Sequence, residues 1–238
     1  MDEKYDAADE NNPEAIALFD AIWTELENAL GKDALTFPRE IFWLNGAPGA
    51  GKGTQTPVIT EALGYKTAPV VMSDLLATPE MQAIKASGGL VGDRDVIPLL
   101  FRKIIAPEFR NGVIVDGFPR TAGQVACLKL LKKKLDALHA ENPEKFAAPS
   151  FNIFMLLVSE EESIARQLHR GREAQARGEA VRPTDLDPEK QSKRFRVFEE
   201  MTLRPIESLK GTFPYFCVES ADGIEGTAAK VREVLVAR

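Results

Sequence analysis

A glycine-rich turn that ends in a lysine is the part of this sequence best suited to chemistry. Residues 46–54 read Gly-Ala-Pro-Gly-Ala-Gly-Lys-Gly-Thr, and an apolar run at 41–44 precedes them. A buried strand that enters such a turn and leaves it as a helix directs backbone N–H groups at one point, which is the geometry that binds polyphosphate. Lys52 would add a mobile cation for the outer phosphates, and Thr54 a hydroxyl near a metal ion. The segment therefore predicts a site for a nucleotide triphosphate.

The turn departs from the usual phosphate-loop pattern at one position. That pattern places Ser or Thr directly after the lysine, whereas here Gly53 follows it and the hydroxyl comes one residue later. The alternative is a glycine-rich loop with an incidental lysine. Signals for a strand, a turn and a helix occur in the required order, which favours phosphate binding.

A second motif, Asp-Gly-Phe-Pro-Arg at 116–120, follows another apolar run at 113–115. A carboxylate at the end of a strand can hold the water shell of Mg²⁺, and an arginine four residues later can bind an acceptor phosphate. A strand that ends in Asp-Gly is by itself a common turn. Its combination with the glycine loop favours a shared phosphate site.

The elements that must position these motifs alternate along the chain. Short, continuously apolar runs alternate with segments of helical periodicity, which indicates a parallel sheet covered by helices on both faces. The predicted strands are 41–46, 68–72, 113–116, 151–158 and 215–218, and the main predicted helices are 13–30, 52–64, 124–140 and 226–237, with shorter helices between 73 and 109. Ligands of such sheets bind at the carboxyl ends of the strands. Both motifs are therefore expected at one edge.

Composition limits the function classes. A chain of 238 residues with 44% hydrophobic residues can bury one core and a small additional lobe. Its 30 Lys and Arg against 36 Asp and Glu give a net charge of −6, which opposes binding to nucleic acid or to anionic membranes. Cys127 and Cys217 have no metal-site spacing. With no signal pattern and no run long enough to span a membrane, a cytoplasmic protein is expected.

The motifs together resemble those of the adenylate kinases. The family's phosphate loop reads Gly-x-Pro-Gly-x-Gly-Lys-Gly-Thr, and its acceptor site contains Asp-Gly-Phe-Pro-Arg with a glutamine four residues later, which residues 46–54 and 116–124 match. Residues 166–171, Arg-Gln-Leu-His-Arg-Gly, are similar to the helix that leads into the family's lid. The resemblance covers roughly residues 41–210. It implies a P-loop α/β fold of three layers, with a central five-stranded parallel sheet, a short lid and a reduced monophosphate-binding lobe.

The resemblance also implies roles for individual residues. Arg120 would hold the acceptor phosphate, Gln124 would read the adenine edge, and Arg166 would cover the ATP base. The implied catalytic residues are Lys52, Arg120, Arg170, Arg182 and Arg194. The implied ATP-binding residues are Gly49, Ala50, Gly51, Lys52, Gly53, Thr54, Arg166 and Arg170. The implied monophosphate-binding residues are Ser73, Gly89, Leu90, Val91, Gly117, Phe118, Arg120, Gln124, Arg182 and Arg194. Mg²⁺ would be held by ATP phosphates and water, with Thr54 and Asp116 nearby.

The acceptor half of the pattern is incomplete. The family's helix after the second strand begins with a threonine and carries an arginine five residues later, and both contact the acceptor nucleotide. This chain has Met72 and Ala77 at those places, and the lobe is shorter. Ser73, Arg94 and Arg102 are the candidates to compensate.

The resemblance implies an enzyme that moves the ATP γ-phosphoryl group reversibly to AMP, giving two ADP, with Mg²⁺ and without nucleic-acid or membrane partners. A UMP or CMP kinase is the alternative within enzymes, and an ATP-binding regulatory module without transfer activity is the alternative from another class. We expect an N-terminal helical extension at 1–38 and a kinase domain at 39–238, with a monophosphate-binding lobe at 73–102 and a lid at 171–187. A monomer is favoured.

Overall fold

A five-stranded parallel sheet forms the centre of the protein. The computed structural model describes residues 8–182 and 184–238. The strands are β1 (Glu40–Gly46), β2 (Val70–Val71), β3 (Val113–Asp116), β4 (Ser150–Leu157) and β5 (Tyr215–Glu219). Their order in the sheet is β2-β3-β1-β4-β5, and every pair is parallel. The predicted five-stranded parallel sheet is confirmed.

The central strands owe their position to burial on both faces. Along β1, Ile41 to Gly46 are all buried, and Phe42 and Trp43 point to opposite sides of the sheet.

The second strand, β2, is shorter than the predicted strand at 68–72. Pro69 has no N–H to donate to a ladder, and Met72 already begins a helix, so only two residues pair with β3.

Helices cover the two faces of the sheet. They are α1 (Pro13–Leu30), α2 (Lys52–Leu63), α3 (Met72–Leu75), α4 (Pro79–Ala86), α5 (Asp93–Ile104), α6 (Ala122–Glu141), α7 (Glu160–Ala176), α8 (Pro188–Val197), α9 (Arg204–Glu207) and α10 (Gly223–Val236). A π-helical segment, Phe198–Leu203, joins α8 to α9. Helices α2 and α10 pack together, and α1 packs on α6. Among the described residues, no helix combines the length and apolar character needed to cross a bilayer.

Helix α1 is part of the same core as the sheet. The Asn12 side chain caps it by accepting hydrogen bonds from the N–H groups of Glu14 and Ala15, as the Asn-Pro sequence predicts. Phe19, Trp23 and Leu26 on one face are at most 4% exposed and join the main hydrophobic core. The helix therefore packs on its own chain, against α6 and α5.

The predicted division of the chain stays a prediction. Residues 1–7 of the expected N-terminal extension and Pro183 of the expected lid lie outside the described residues. Within the described part, the expected monophosphate-binding lobe consists of α3, α4, most of α5 and their connections. Helix α4 is the outermost of these, because none of its residues is buried.

Candidate active site

The glycine loop between β1 and α2 has the conformation that its sequence predicts. Gly49 has a φ of +75°, and a Cβ there would lie 2.8 Å from the backbone oxygen of Ser163. Gly51 precedes α2 in the left-handed region, with a φ of +86°. Only glycine adopts both positions without strain. The loop thus delivers the N-terminus of α2, with its unpaired N–H groups, to the carboxyl edge of the sheet.

The ammonium group of Lys52 lies across this loop. Its Nζ donates hydrogen bonds to the backbone oxygens of Gly46, at 2.7 Å, and of Ala47, at 3.2 Å. Burial lowers the pKa of Lys52 to about 8, and nearby Arg120 adds to this effect while the Asp116 carboxylate opposes it. The lysine is therefore held at the base of the cleft, with its charge only partly balanced.

One large cleft, with a volume of about 1920 Å³, brings the two motifs together. It runs along the carboxyl ends of the strands, between the glycine loop and helix α4. The predicted site residues that line it are Gly49, Ala50, Gly51, Lys52, Gly53, Thr54, Ser73, Gly89, Leu90, Val91, Asp116, Gly117, Arg120, Gln124, Arg166, Arg170, Arg182 and Arg194. Phe118 does not line the cleft, because its side chain is 1% exposed and packs against Trp43 in the core.

Arg120 lies at the middle of the cleft, beside Asp116. Its Nε donates to the backbone oxygen of Gly117 at 2.7 Å, and its own backbone oxygen accepts from Thr202 Oγ1 at 2.8 Å. Burial lowers the pKa of Arg120 and raises that of Asp116, whereas each charge counteracts the shift of the other. The hydrogen bond to Gly117 thus orients the Arg120 guanidinium before any ligand is present.

The Gln124 amide is fixed in one orientation. Its Nε2 donates to Asp93 Oδ1 at 2.9 Å, and its Oε1 accepts from the backbone N–H of Arg120 at 2.8 Å. The side chain is 2% exposed and lies at the cleft wall. Rotating the amide by 180° would place nitrogen against N–H and oxygen against carboxylate. The amide therefore presents a donor and an acceptor in a defined order.

Helix α7 contributes two arginines to the opposite wall. Arg166 donates through Nη1 to Ser220 Oγ at 2.9 Å and through Nη2 to the Ser220 backbone oxygen. These two contacts hold its guanidinium group against the start of the β5–α10 connection. Arg170 forms a paired contact with Asp185, with Nε–Oδ2 and Nη2–Oδ1 distances of 2.6 and 2.8 Å. Three of the five N–H donors of that guanidinium have no partner within residues 8–182 and 184–238 and could bind a ligand.

A chain of buried polar groups orients Arg194. Its Nη1 donates to Gln167 Oε1 at 2.9 Å and to Thr184 Oγ1 at 2.8 Å. Gln167 in turn contacts Ser163, whose hydroxyl donates to the backbone oxygen of Pro48 in the glycine loop at 2.6 Å. Burial lowers the pKa of Arg194 to about 10, and the charges of Arg170, Arg120 and Arg182 add to this effect. These four arginines therefore share one electrostatic environment.

Sequence reasoning missed part of this arrangement. The polar residues Ser163 and Gln167 are fully buried on α7, one helical turn apart, and that i, i+4 spacing is the signal that could have found them. Lys85 also lines the cleft, although no motif includes it. Arg94 and Arg102, the candidates to compensate for the incomplete acceptor pattern, do not line it, and Arg102 pairs with Glu25 on α1 at 2.8 Å.

Comparisons with known proteins agree with this geometry. The family model of the AAA domain matches residues 45–182. An adenylate kinase of Xanthobacter autotrophicus is 38% identical over 61% of this chain and 72% of its own length. An adenylate kinase of Methylobacterium radiotolerans is 35% identical over 76% of this chain and 87% of its own length. A solved gluconokinase from Sinorhizobium meliloti shares the fold, with a TM-score of 0.50 at 19% identity, over 85% of this chain and 94% of that one.

Proposed function

Because the chain belongs to the adenylate kinase family and is a nucleoside monophosphate kinase, we propose that it transfers the ATP γ-phosphoryl group reversibly to AMP, giving two ADP. One observation carries the proposal. Lys52 and four arginines converge on a single cleft at the end of the sheet, and the charges of Arg120, Arg170 and Arg194 all act on Lys52. Phosphoryl transfer needs such a set, because negative charge is spread over the moving group.

The proposed mechanism relies on position and charge. Lys52 and the loop N–H groups would bind the β- and γ-phosphates of ATP, and Arg166 would lie over its base. Arg120 would hold the acceptor phosphate in line with the γ-phosphorus, while Arg170, Arg182 and Arg194 would neutralise the equatorial oxygens. No side-chain base or covalent intermediate is required, since orientation and electrostatic stabilisation provide most of the rate enhancement in this chemistry.

The cleft suits a magnesium ion that arrives with the nucleotide. No group of three or more His, Cys, Asp or Glu side chains that could hold a metal occurs within residues 8–182 and 184–238. Asp116 and Thr54 do line the cleft near Lys52, and a carboxylate and a hydroxyl are ligands or water partners that Mg²⁺ accepts. We propose that ATP phosphates and water hold most of its coordination shell. The ion would neutralise charge on those phosphates.

The fixed amide of Gln124 supports adenine rather than guanine as the acceptor base. Adenine presents an acceptor and a donor side by side, at N1 and the 6-amino group, whereas the matching edge of guanine presents the reverse order. Because Asp93 and the Arg120 N–H fix the order at Gln124, the amide cannot turn over to match both bases. A site of this kind discriminates strongly, since the wrong base leaves buried polar groups unpaired.

A panel of acceptors tests the proposal. Purified protein with Mg-ATP and AMP, UMP, CMP, GMP or dAMP in turn should form diphosphate fastest with AMP, measured by chromatography of the nucleotides. Faster transfer to UMP or CMP would instead identify a pyrimidine monophosphate kinase. Tight ATP binding without transfer to any of the five acceptors would identify a regulatory module and would contradict the proposal.

ATP binding should take up a proton in mildly alkaline solution. With a pKa of about 8, Lys52 is largely neutral above that pH in the free protein, whereas bound phosphates favour its charged form. Well below pH 8, at about pH 6, the lysine is charged in both states, so no uptake is expected there. Affinity for ATP should therefore fall as the pH rises above about 8. Calorimetry at pH 8.5 in two buffers of different ionisation enthalpy measures the uptake directly. Equal heats of ATP binding in the two buffers would contradict this prediction. The same measurement on the Lys52→Met variant shows how much proton uptake comes from other groups.

A further inference from the structure

Lys85 on helix α4 points its ammonium group into the cleft. Its Nζ donates to the backbone oxygens of Ser73, at 2.9 Å, and of Leu76, at 3.1 Å, which fixes its position at the wall. An ammonium group has three donors. The third has no hydrogen-bond partner among the described residues, and the side chain is part of the cleft lining. A bound ligand could therefore accept the remaining hydrogen bond.

The charges around Lys85 are mostly of its own sign. Burial lowers the pKa of this lysine, and the positive charges of Arg120 and Arg182 lower it further, whereas Asp74 acts in the opposite direction. Holding these cations near one another in a partly buried cleft is unfavourable, and the carboxylates of Asp74 and Asp116 offset the positive charge only in part, because Lys52 also lies near Asp116 and Arg120. The arrangement is therefore suited to a phosphate.

The position of Lys85 indicates which phosphate this is. The lysine lies on α4, directly before the segment Gly88–Val91 that forms the acceptor side of the cleft. Lys52, which would bind the donor phosphates, lies instead at the start of α2, where the glycine loop ends. Arg120 stands between the two sides and acts electrostatically on both lysines.

We propose that Lys85, together with Arg120, binds the phosphate of the acceptor nucleotide. This inference rests on the proposed function and adds a residue to it. The lysine would supply the positive charge that Met72 and Ala77 cannot provide at the start of the lobe. It reaches the cleft from α4, the helix that follows Ala77 in the chain.

Replacing Lys85 with methionine should weaken the binding of AMP but not that of adenosine. Loss of one charge-assisted hydrogen bond lowers affinity by about 10- to 100-fold, and only the phosphate can make this one. Calorimetric titration of each variant with AMP and with adenosine measures both affinities. In steady-state assays the KM for AMP should rise by a similar factor, while the KM for ATP should not change. Lys85→Arg, which keeps the charge, should retain most of the affinity.

The matched control is Lys193→Met. Lys193 also donates a hydrogen bond to a backbone oxygen of the same lobe, that of Ser87 at 3.1 Å, but it does not line the cleft. Its replacement should leave both affinities unchanged. Equal weakening of AMP and adenosine in Lys85→Met would mean that the lysine only supports the lobe, and an unchanged AMP affinity would mean that it does not bind the phosphate. Either result would overturn this inference.

Different results would contradict the proposed function and the role of Lys85. Wild-type protein that binds AMP but transfers no phosphoryl group would contradict the transfer reaction, and the comparison of AMP with adenosine would still decide the role of Lys85. Wild-type protein that binds no nucleoside monophosphate would overturn both.

Discussion

Replacing Lys52 with methionine should reduce turnover by about 100- to 1,000-fold, as loss of a single preorganised charge-stabilising group does in other enzymes. The Nζ of this lysine is held by two loop carbonyls beside the arginines, so a neutral side chain removes positive charge where the transferred group would pass. The initial rate of ADP formation with saturating Mg-ATP and AMP measures the effect.

The same variant should fold normally. Burial lowers the pKa of Lys52, which means that the charged ammonium is costly in the ligand-free protein at neutral pH. Its replacement should therefore leave the thermal unfolding midpoint unchanged or slightly higher. Lys133→Met, on the exposed surface of α6, is the matched control and should have wild-type turnover. Near-wild-type turnover in Lys52→Met would remove this lysine from the mechanism.

Replacing Arg120 with methionine should lower turnover by about the same 100- to 1,000-fold, because this guanidinium would contact the acceptor phosphate and the developing charge. Arg120→Lys should restore little of the rate. An ammonium group cannot reproduce a planar guanidinium that donates to the Gly117 oxygen through Nε and still directs Nη groups at a phosphate. Single-turnover measurements with each variant separate a slower transfer step from weaker AMP binding.

The control for Arg120 is Arg196→Met. Arg196 is exposed on α8, close in sequence to Arg194, and it does not line the cleft. Its replacement should change turnover less than twofold, because isolated surface charges contribute little. If Arg120→Met and Arg196→Met turned over equally fast, Arg120 would have no part in the reaction.

The sequence predicted the fold and the donor side of the cleft because both depend on local patterns. The turn around Gly49 and Gly51 has a conformation that its glycines determine, and the buried runs of β1 and β4 leave only a central position for these strands. The direction of a parallel strand then places Asp116 at the same edge as the glycine loop.

The acceptor side was harder to predict because side-chain direction there depends on packing. Phe118 belongs to a phosphate-binding motif, yet its side chain packs against the Trp43 ring in the core. Lys85 belongs to no motif, and it enters the cleft only because the oxygens of Ser73 and Leu76 lie within its reach. The proposed roles of the residues that line the cleft stay predictions until the variants are measured.

The packing of α1 limits which part of the chain can move when a nucleotide enters. Helix α5, at the base of the acceptor side, is held by the contact of Phe101 with Phe19, at 6.4 Å between ring centres, whereas the exposed ion pair of Arg102 with Glu25 adds little. Swinging α5 outward would expose Phe101, which is now 1% exposed, to water. Movement of the acceptor side should therefore be confined to α4 and its two connecting loops, pivoting near residues 76–78 and 88–92. Amide hydrogens of α4 should exchange with solvent far sooner than those of α5.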